Sequence, residues 1–524
     1  HQPSPWMNDY AAFALMAETG PVRVKQQERG SWFSHKAEVA RPYSYKVYLA
    51  DYDVTAEVAP TMRAAQFRFT FPESDDSHIL LDGLAGGSMV KVDVKNRRIT
   101  GYVRNNHGGV PDNFHNYFVA EFDRDFTLAR TWAGDNAPTN ELAREGDHVG
   151  AVLSFKTKKG DKVHVRVASS FISPEQALRN LRTEIGNDSF DTTQAKAKAE
   201  WEKELSRIRV TDPDAEKIRT FYSALYRMLQ FPRTFYEKDA NGKIVHYSPY
   251  DGKVHDGYMF TDNGFWDTWR AVFPFFALMY PERDSQFMQG LVNTYKQGGW
   301  LPEWASPGYR NVMIGSNSAN LIADAYFNGV RGFDVETLYE AMIKNATTSE
   351  GRPKDKAGKV IAAVGREGAE HYNRLGYVPY DVGINENAAR TLEYATADFS
   401  IAQLAKLLGK DADAKKYMER ALNYQKLYDN QSGWIRGRNQ DGSWSTPFNP
   451  YKWGDAFTEG NALHYSWAVM QDVQGLMNLM GGRQKFVERL DAIFTTPPIF
   501  DESYYGQVIH EIREMQIVDM GQYA

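Results

Sequence analysis

Eight carboxylates stand beside aromatic rings or glycines in a way that suits bond-breaking chemistry. They are Asp267 in "FWDTWRA", Glu303 in "WLPEWA", Asp381 in "YVPYDVG", Glu386 in "INENAA", Asp455 and Glu459 in "WGDAFTEGNALHYSW", and Glu511 with Glu514 in "HEIREM". A pair of such groups can split a glycosidic bond: one carboxylic acid protonates the leaving oxygen, the other activates water or attacks, and aromatic walls hold the ring. Each also has a plainer reading. Thr458-Glu459 has the form of a helix cap with an acid in the first turn, where the helix dipole favours negative charge. Asp267 and Arg270 have the spacing of a structural ion pair. The stretch "ENAARTLEYATAD" reads as a core or solvated helix face, and His510-Glu511 as a strand-end pair.

Several chemistries lack their residues. There is no glycine-rich phosphate loop followed by Lys-Ser/Thr, no dinucleotide fingerprint, no H-E-x-x-H and no G-x-S-x-G. The 524-residue chain has no cysteine, which excludes disulfides, thiolate metal sites and a thiol nucleophile. Its 61 basic and 67 acidic residues are interspersed, so the one-signed field that nucleic acid or anionic lipid requires is missing. No apolar run reaches the roughly 20 residues of a membrane span. Aromatic residues make up 14%, with 12 Trp and 30 Tyr. Such rings offer flat apolar faces with a polar handle, which suits sugars, although large cores use them as well.

Two kinds of element must position these groups. From residue 38 to about 172, short alternating runs such as "AAQFRFTFP", "HILLDGLA" and "KVHVRVASSFIS" are separated by Asp, Asn, Gly and Pro turns, the pattern of an antiparallel β-sandwich. Near residue 173 the apolar spacing changes to three and four behind Ser, Thr or Asp caps, which predicts helices. These continue through "NGFWDTWRAVFPFFALMYPE", "ENAARTLEYATADFSIAQLAKLLG" and "TEGNALHYSWAVMQDVQGLMNLMG". Several pair as αα-hairpins joined by long segments rich in Trp, Tyr, Gly and Pro, and a toroid whose loops line one mouth accounts for them. The expected organisation is a β-sandwich over 1–172, linker helices over 173–213 and a helical toroid over 214–524.

Six stretches together resemble glycoside hydrolase family 92, calcium-dependent exo-acting α-mannosidases: "HQPSPWMNDY", "FWDTWRAVFPFFALMYPE", "GWLPEWASPGYRNVMIGSNSANLIADAY", "GYVPYDVGINENAARTLEYATADFSIAQLAKLLG", "TEGNALHYSWAVMQDVQGLMNLMGG" and "HEIREMQIVDMGQYA". They cover nearly the whole chain in the family's order. The resemblance implies an N-terminal antiparallel β-sandwich followed by an (α/α)6 toroid, with the site between them and mannose released with inversion. By position, Glu459 is similar to the family's general acid. Asp267 and Arg270 are similar to residues holding the terminal mannose, Trp6 to an aromatic wall, and His510 with Glu511 to the leaving-sugar pair used on α-1,2 linkages.

The chain begins without an initiator Met or signal peptide and stops at "GQYA", where the family continues into an "HGN" motif and an Asp-rich segment that supplies the base near calcium. The toroid is therefore expected to be incomplete and the base and calcium ligands to lie at least partly downstream of Ala524. The isolated chain is expected to be inactive or nearly so, and its parent periplasmic or secreted, acting on mannosides or N-glycans. Two alternatives stand beside this: a disaccharide phosphorylase of similar architecture, told apart by phosphate dependence, and a sugar-binding protein without turnover.

Overall fold

The computed structural model describes residues 10–353, 364–497, 500, 501, 503 and 504. It forms two compact units that divide at Thr261/Asp262.

The first unit is an antiparallel sandwich. Its strands are β1 (Ala14–Thr19), β2 (Val39–Arg41), β3 (Ser44–Leu49), β4 (Val54–Pro60), β5 (Ala64–Thr70), β6 (Ser74–Asp82), β7 (Ser88–Asp93), β8 (Arg98–Val103), β9 (Asn116–Phe122), β10 (Leu128–Ala133), β11 (Ala143–Gly146), β12 (Val149–Thr157) and β13 (Lys162–Ser170). One sheet has the order β1-β6-β12-β10 and the other β11-β7-β8-β9-β13-β5-β4-β3-β2. Period-two burial is clean in β8 and follows from one face meeting the core. The register places Val165 opposite Phe67 and Phe122. In β6 the alternation disappears because both faces are covered: Ile79 and Leu81 enter the main core, while Leu80 packs with Trp132 and Val152. β1 precedes residue 38, where the alternating pattern becomes legible. The turn α1 (Gln26–Arg29) brings Arg29 to the buried Asp82, which also pairs with His148 Nε2 at 2.7 Å.

Three helices follow: α2 (Pro174–Glu184), α3 (Phe190–Leu205) and α4 (Ala215–Met228), each with a side-chain cap, from Ser173, Ser189 and Asp214. Ala177 and Leu181 of α2, with Ile185 just past its end, pack on Ala64, Val119 and Ala168 of the sandwich. Short hairpins between Arg233 and Thr261 place Phe235, Tyr247 and Met259 in the sandwich core. For this reason the division between units falls later in the chain than the change from strand to helix periodicity.

The second unit is helical: α5 (Phe265–Thr268), α6 (Val272–Met279), α7 (Pro281–Gly298), α8 (Ser318–Phe327), α9 (Val335–Thr347), α10 (Ala369–Leu375), α11 (Asn387–Leu407), α12 (Asp411–Ala421), α13 (Ala462–Tyr465), α14 (Val473–Leu479) and α15 (Arg483–Ile493). α6 packs on α8 and α8 on α11, while α7 packs on α9, the skipping neighbour order of an αα-repeat. α11 is the central element, with Asp398 buried between Arg366 (2.7 Å) and Arg420 (2.8 Å) and accepting from the Tyr372 hydroxyl at 3.0 Å. No described helix is long and apolar enough to cross a membrane.

Two expected helices are interrupted. The run through "FWDTWRAVFPFFALM" breaks between α5 and α6, where Ala271 leaves helical geometry at φ −139°. Pro274 has no N–H for the carbonyl of residue 270, so it is tolerated only in a first turn and the helix has to restart at Val272. The run from Thr458 to Gly481 splits into α13, a 3-10 turn over Met470–Asp472 and α14, because Asn461 and Asp472 each use their side chains to cap a new start.

Candidate active site

Three segments of the helical unit build the site. The first runs from Asp262 to Arg270. Asp262 is left-handed at φ 59°, and Asn263-Gly264 pairs with Trp304-Ala305. A Cβ on Gly264 would lie 2.1 Å from a ring carbon of Trp304, so only glycine lets the chain pass. Thr268 Oγ1 donates to Asn263 Oδ1 at 2.7 Å, fixing the single turn of α5. Phe265 and Trp266 face inward and Asp267 faces solvent. Partial burial pushes the Asp267 carboxyl up, opposed by the charge of Arg270.

Arg270 is the most constrained member. Its guanidinium donates to the Trp266 carbonyl, lies 5.0 Å from the rings of both Trp266 and Trp269, and pairs with Glu393 Oε1 at 3.2 Å. The structural ion pair read for Arg270 therefore exists, but with Glu393 of α11. Glu393 is buried, and burial pushes its carboxyl up against the opposing charge of Arg270. Local pattern concealed it within an apolar helix. The available signal was its place in the carboxylate-bearing stretch "ENAARTLEYATAD".

The second segment is that start of α11. Glu386 is left-handed at φ 60°, accepts from Arg390 Nη2 at 3.0 Å, and donates its N–H to the Asp455 carbonyl at 2.8 Å. The N–H groups of Ala388 and Ala389 both reach Ala456 O at 3.1 Å.

The third segment is the loop 453–461. Its ends are joined by Gly454 N–H to Gly460 O at 2.9 Å. Asp455, at φ 63°, is occupied by the Tyr380 hydroxyl (2.9 Å) and Lys452 Nζ (2.6 Å). Phe457 is buried and stacks on Tyr465 with centroids 5.4 Å apart. Tyr465 Oη donates to Thr458 O at 2.8 Å, pinning the residue before Glu459. Glu459 itself is left-handed at φ 44° and exposed.

The cap reading of Thr458-Glu459 does not describe this geometry. The cap is Asn461, whose Oδ1 accepts from Leu463 N (2.9 Å) and His464 N (3.3 Å), while His464 Nδ1 accepts from Asn461 N–H. Glu459 lies before the helix and is not in its first turn. Its carboxyl is pushed up by surrounding protein, then by the charges of Glu386 and Asp267. An acid beside two other carboxylates keeps its proton to higher pH, as a proton donor requires. Arg270 Nε, Trp269 Nε1 and Thr458 Oγ1 are buried with no partner among the described residues. Buried polar atoms of this kind call for a ligand or water.

The other candidates are placed elsewhere. Glu303 is fully buried and accepts from Ser318 N (2.9 Å), Ser318 Oγ (2.7 Å) and Asn345 Nδ2 (3.3 Å), serving the start of α8, with burial pushing it up to about 7. Asp381 is exposed and accepts from Gln440 N at 2.9 Å. Trp6, His510, Glu511 and Glu514 lie outside the described residues.

The model of the glycosyl hydrolase family 92 N-terminal domain matches residues 1–170 and that of the family 92 catalytic domain residues 176–524. A curated protein of Arthroderma benhamiae, described as an uncharacterized secreted glycosidase, is 28% identical over 380 residues, covering 65% of this chain. This chain spans 43% of that relative's length. A family GH92 inverting mannosidase from Bacteroides thetaiotaomicron superposes with a TM-score of 0.91 at 44% identity, over 100% of this chain and 70% of its own. A GH92 α-mannosidase of the same organism, solved with mannoimidazole, gives 0.83 at 32% identity over 94% and 65% of the two chains. With both family models matched end to end along the sequence and the fold shared with solved members, the chain belongs to glycosyl hydrolase family 92.

Proposed function

We propose that the protein is an inverting exo-α-mannosidase in which Glu459 is the general acid. The observation that carries this reading is the placement of Glu459 on a pinned, left-handed loop, electrostatically coupled to Asp267 and Glu386, in a chain 44% identical to an inverting mannosidase. Protonated Glu459 hands its hydrogen to the glycosidic oxygen as the bond to the anomeric carbon breaks. Water attacks that carbon from the opposite face and gives its proton to a carboxylate base, for which inversion leaves roughly 6.5–9.5 Å between the two groups. None of the described residues is assigned as that base.

Asp267 and Arg270 bind the terminal mannose. The guanidinium fork is oriented by Glu393 and by two indole faces, so its remaining N–H groups are presented in a fixed direction to sugar hydroxyls. The proposal extends to α-1,2 linkages through His510 and Glu511, to an aromatic wall at Trp6, to N-glycan mannosides as substrates, and to a periplasmic or secreted site of action. Calcium belongs to the proposal through the family resemblance. Among the described residues no group of three or more His, Cys, Asp or Glu side chains is arranged to hold a metal ion, and no step is routed through calcium.

The test is Glu459→Gln in the intact protein. Hydrolysis of an α-1,2-mannobiose should fall about 10²–10⁴-fold, the usual worth of a general acid, while an aryl mannoside with a good leaving group falls far less. Equal losses on both substrates exclude Glu459 as proton donor.

A further inference from the structure

The reading of Glu459 as acid leaves Glu386 without a role. A non-glycine residue in the left-handed region costs energy and persists only where its surroundings impose it. Here three acids, Glu386, Asp455 and Glu459, adopt it on segments that main-chain hydrogen bonds clasp together. Glu386 N–H is held by Asp455 O, the next turn of α11 by Ala456 O, and the Glu459 loop is closed by Gly454 and Gly460. The Glu386 carboxylate is fixed in turn by Arg390, whose guanidinium also reaches Glu367 at 3.2 Å.

We propose that Glu386 is a positioning residue for the acid: its anchored negative charge, oriented by Arg390, holds the proton on Glu459 until the leaving oxygen takes it. This rests on the acid reading of Glu459. The neighbouring charges fit the assignment. On α11, Glu393 is engaged with Arg270; on the loop, Asp455 is engaged with Lys452 and the Tyr380 hydroxyl; from α5, Asp267 adds a second negative charge. Tyr465 and Tyr504 also feel Glu386 and carry no charge at neutral pH, since burial pushes both phenols up. Among the described residues, Arg270 and Lys452 are thus paired with other acids, and Arg390 is shared between Glu386 and Glu367. Of the charges acting on Glu459, that of Glu386 is the larger contributor, ahead of Asp267.

Glu386→Gln keeps the side chain's length and its bond to Arg390 but removes the charge. In the intact protein, kcat/KM on α-1,2-mannobiose is followed against pH. The alkaline limb, where Glu459 loses its proton, should move down by roughly half to one pH unit, the size of one charge acting over several ångströms near a surface. Glu386→Asp, which restores a charge, should recover part of that shift. A purely structural Glu386 would lower activity at all pH values without moving the limb, and that result overturns the proposal. Should Glu386→Gln fail to fold, the unaltered enzyme in rising salt serves instead: screening must move the same limb downward, and an unmoved limb overturns the proposal. Failure of the acid reading is seen separately, as equal loss on both substrates in Glu459→Gln.

Discussion

Asp284 in α7 is buried to 1% exposure, and neither of its carboxyl oxygens has a partner among the described residues. Burial, with a smaller contribution from the charge of Asp324 in α8, pushes it up to about 8. In the unfolded chain an Asp titrates near ~3.9. Between these values the folded protein binds a proton that the unfolded chain does not, so this group's contribution is fully present below about pH 4 and is lost as pH rises towards 8. The limiting slope is about 1.4 kcal/mol per pH unit, which sets a ceiling of about 4 kcal/mol from pH 5 to pH 8. Asp324 is also pushed up by burial and accepts from Asn328 Nδ2 at 2.9 Å, so part of the cost is relieved locally. We expect about 2 kcal/mol to remain, the size of an unsatisfied buried polar group. Asp284→Asn keeps the shape of the protonated acid and cannot ionise. Guanidinium midpoints of the intact wild type and variant at pH 5, 6, 7 and 8 should nearly coincide at the acid end and diverge in favour of the variant towards pH 8. Because titrations other than those of Asp284 and its neighbour Asp324 cancel in the difference, parallel curves would refute the reasoning.

Arg270→Lys replaces a fork clamped by Glu393, the Trp266 carbonyl and two indoles with a single point charge. It should raise KM for mannosides about tenfold, measured by steady-state kinetics, with a smaller effect on kcat. Asn461→Ala removes a cap whose side chain bonds two N–H groups of α13, and should cost about 1 kcal/mol, read as a lower denaturation midpoint. Because Tyr465 still pins Thr458, this variant should retain the pH profile of the wild type.

Period-two and period-3.6 patterns, with Ser and Asp at the starts, were enough to read a sandwich followed by helices, because those signals depend only on neighbours within a turn or a strand. Pro274 and Asn461 carried the helix breaks as well, legible in retrospect from what each residue does to a backbone N–H. Residue type placed Asp267, Glu386 and Glu459 among eight candidate carboxylates, and the family resemblance picked out Asp267 and Glu459 from them, together with Arg270. Tertiary structure alone decided which partners these groups meet. Glu393 meets Arg270 across 123 positions of chain, and Glu386 meets the Glu459 loop across about 70. Coulomb coupling and burial follow distance in space, which local periodicity does not encode, so the same carboxylate types became a helix-start partner at Glu303, a tethered loop acid at Asp455 and a raised, solvent-facing acid at Glu459.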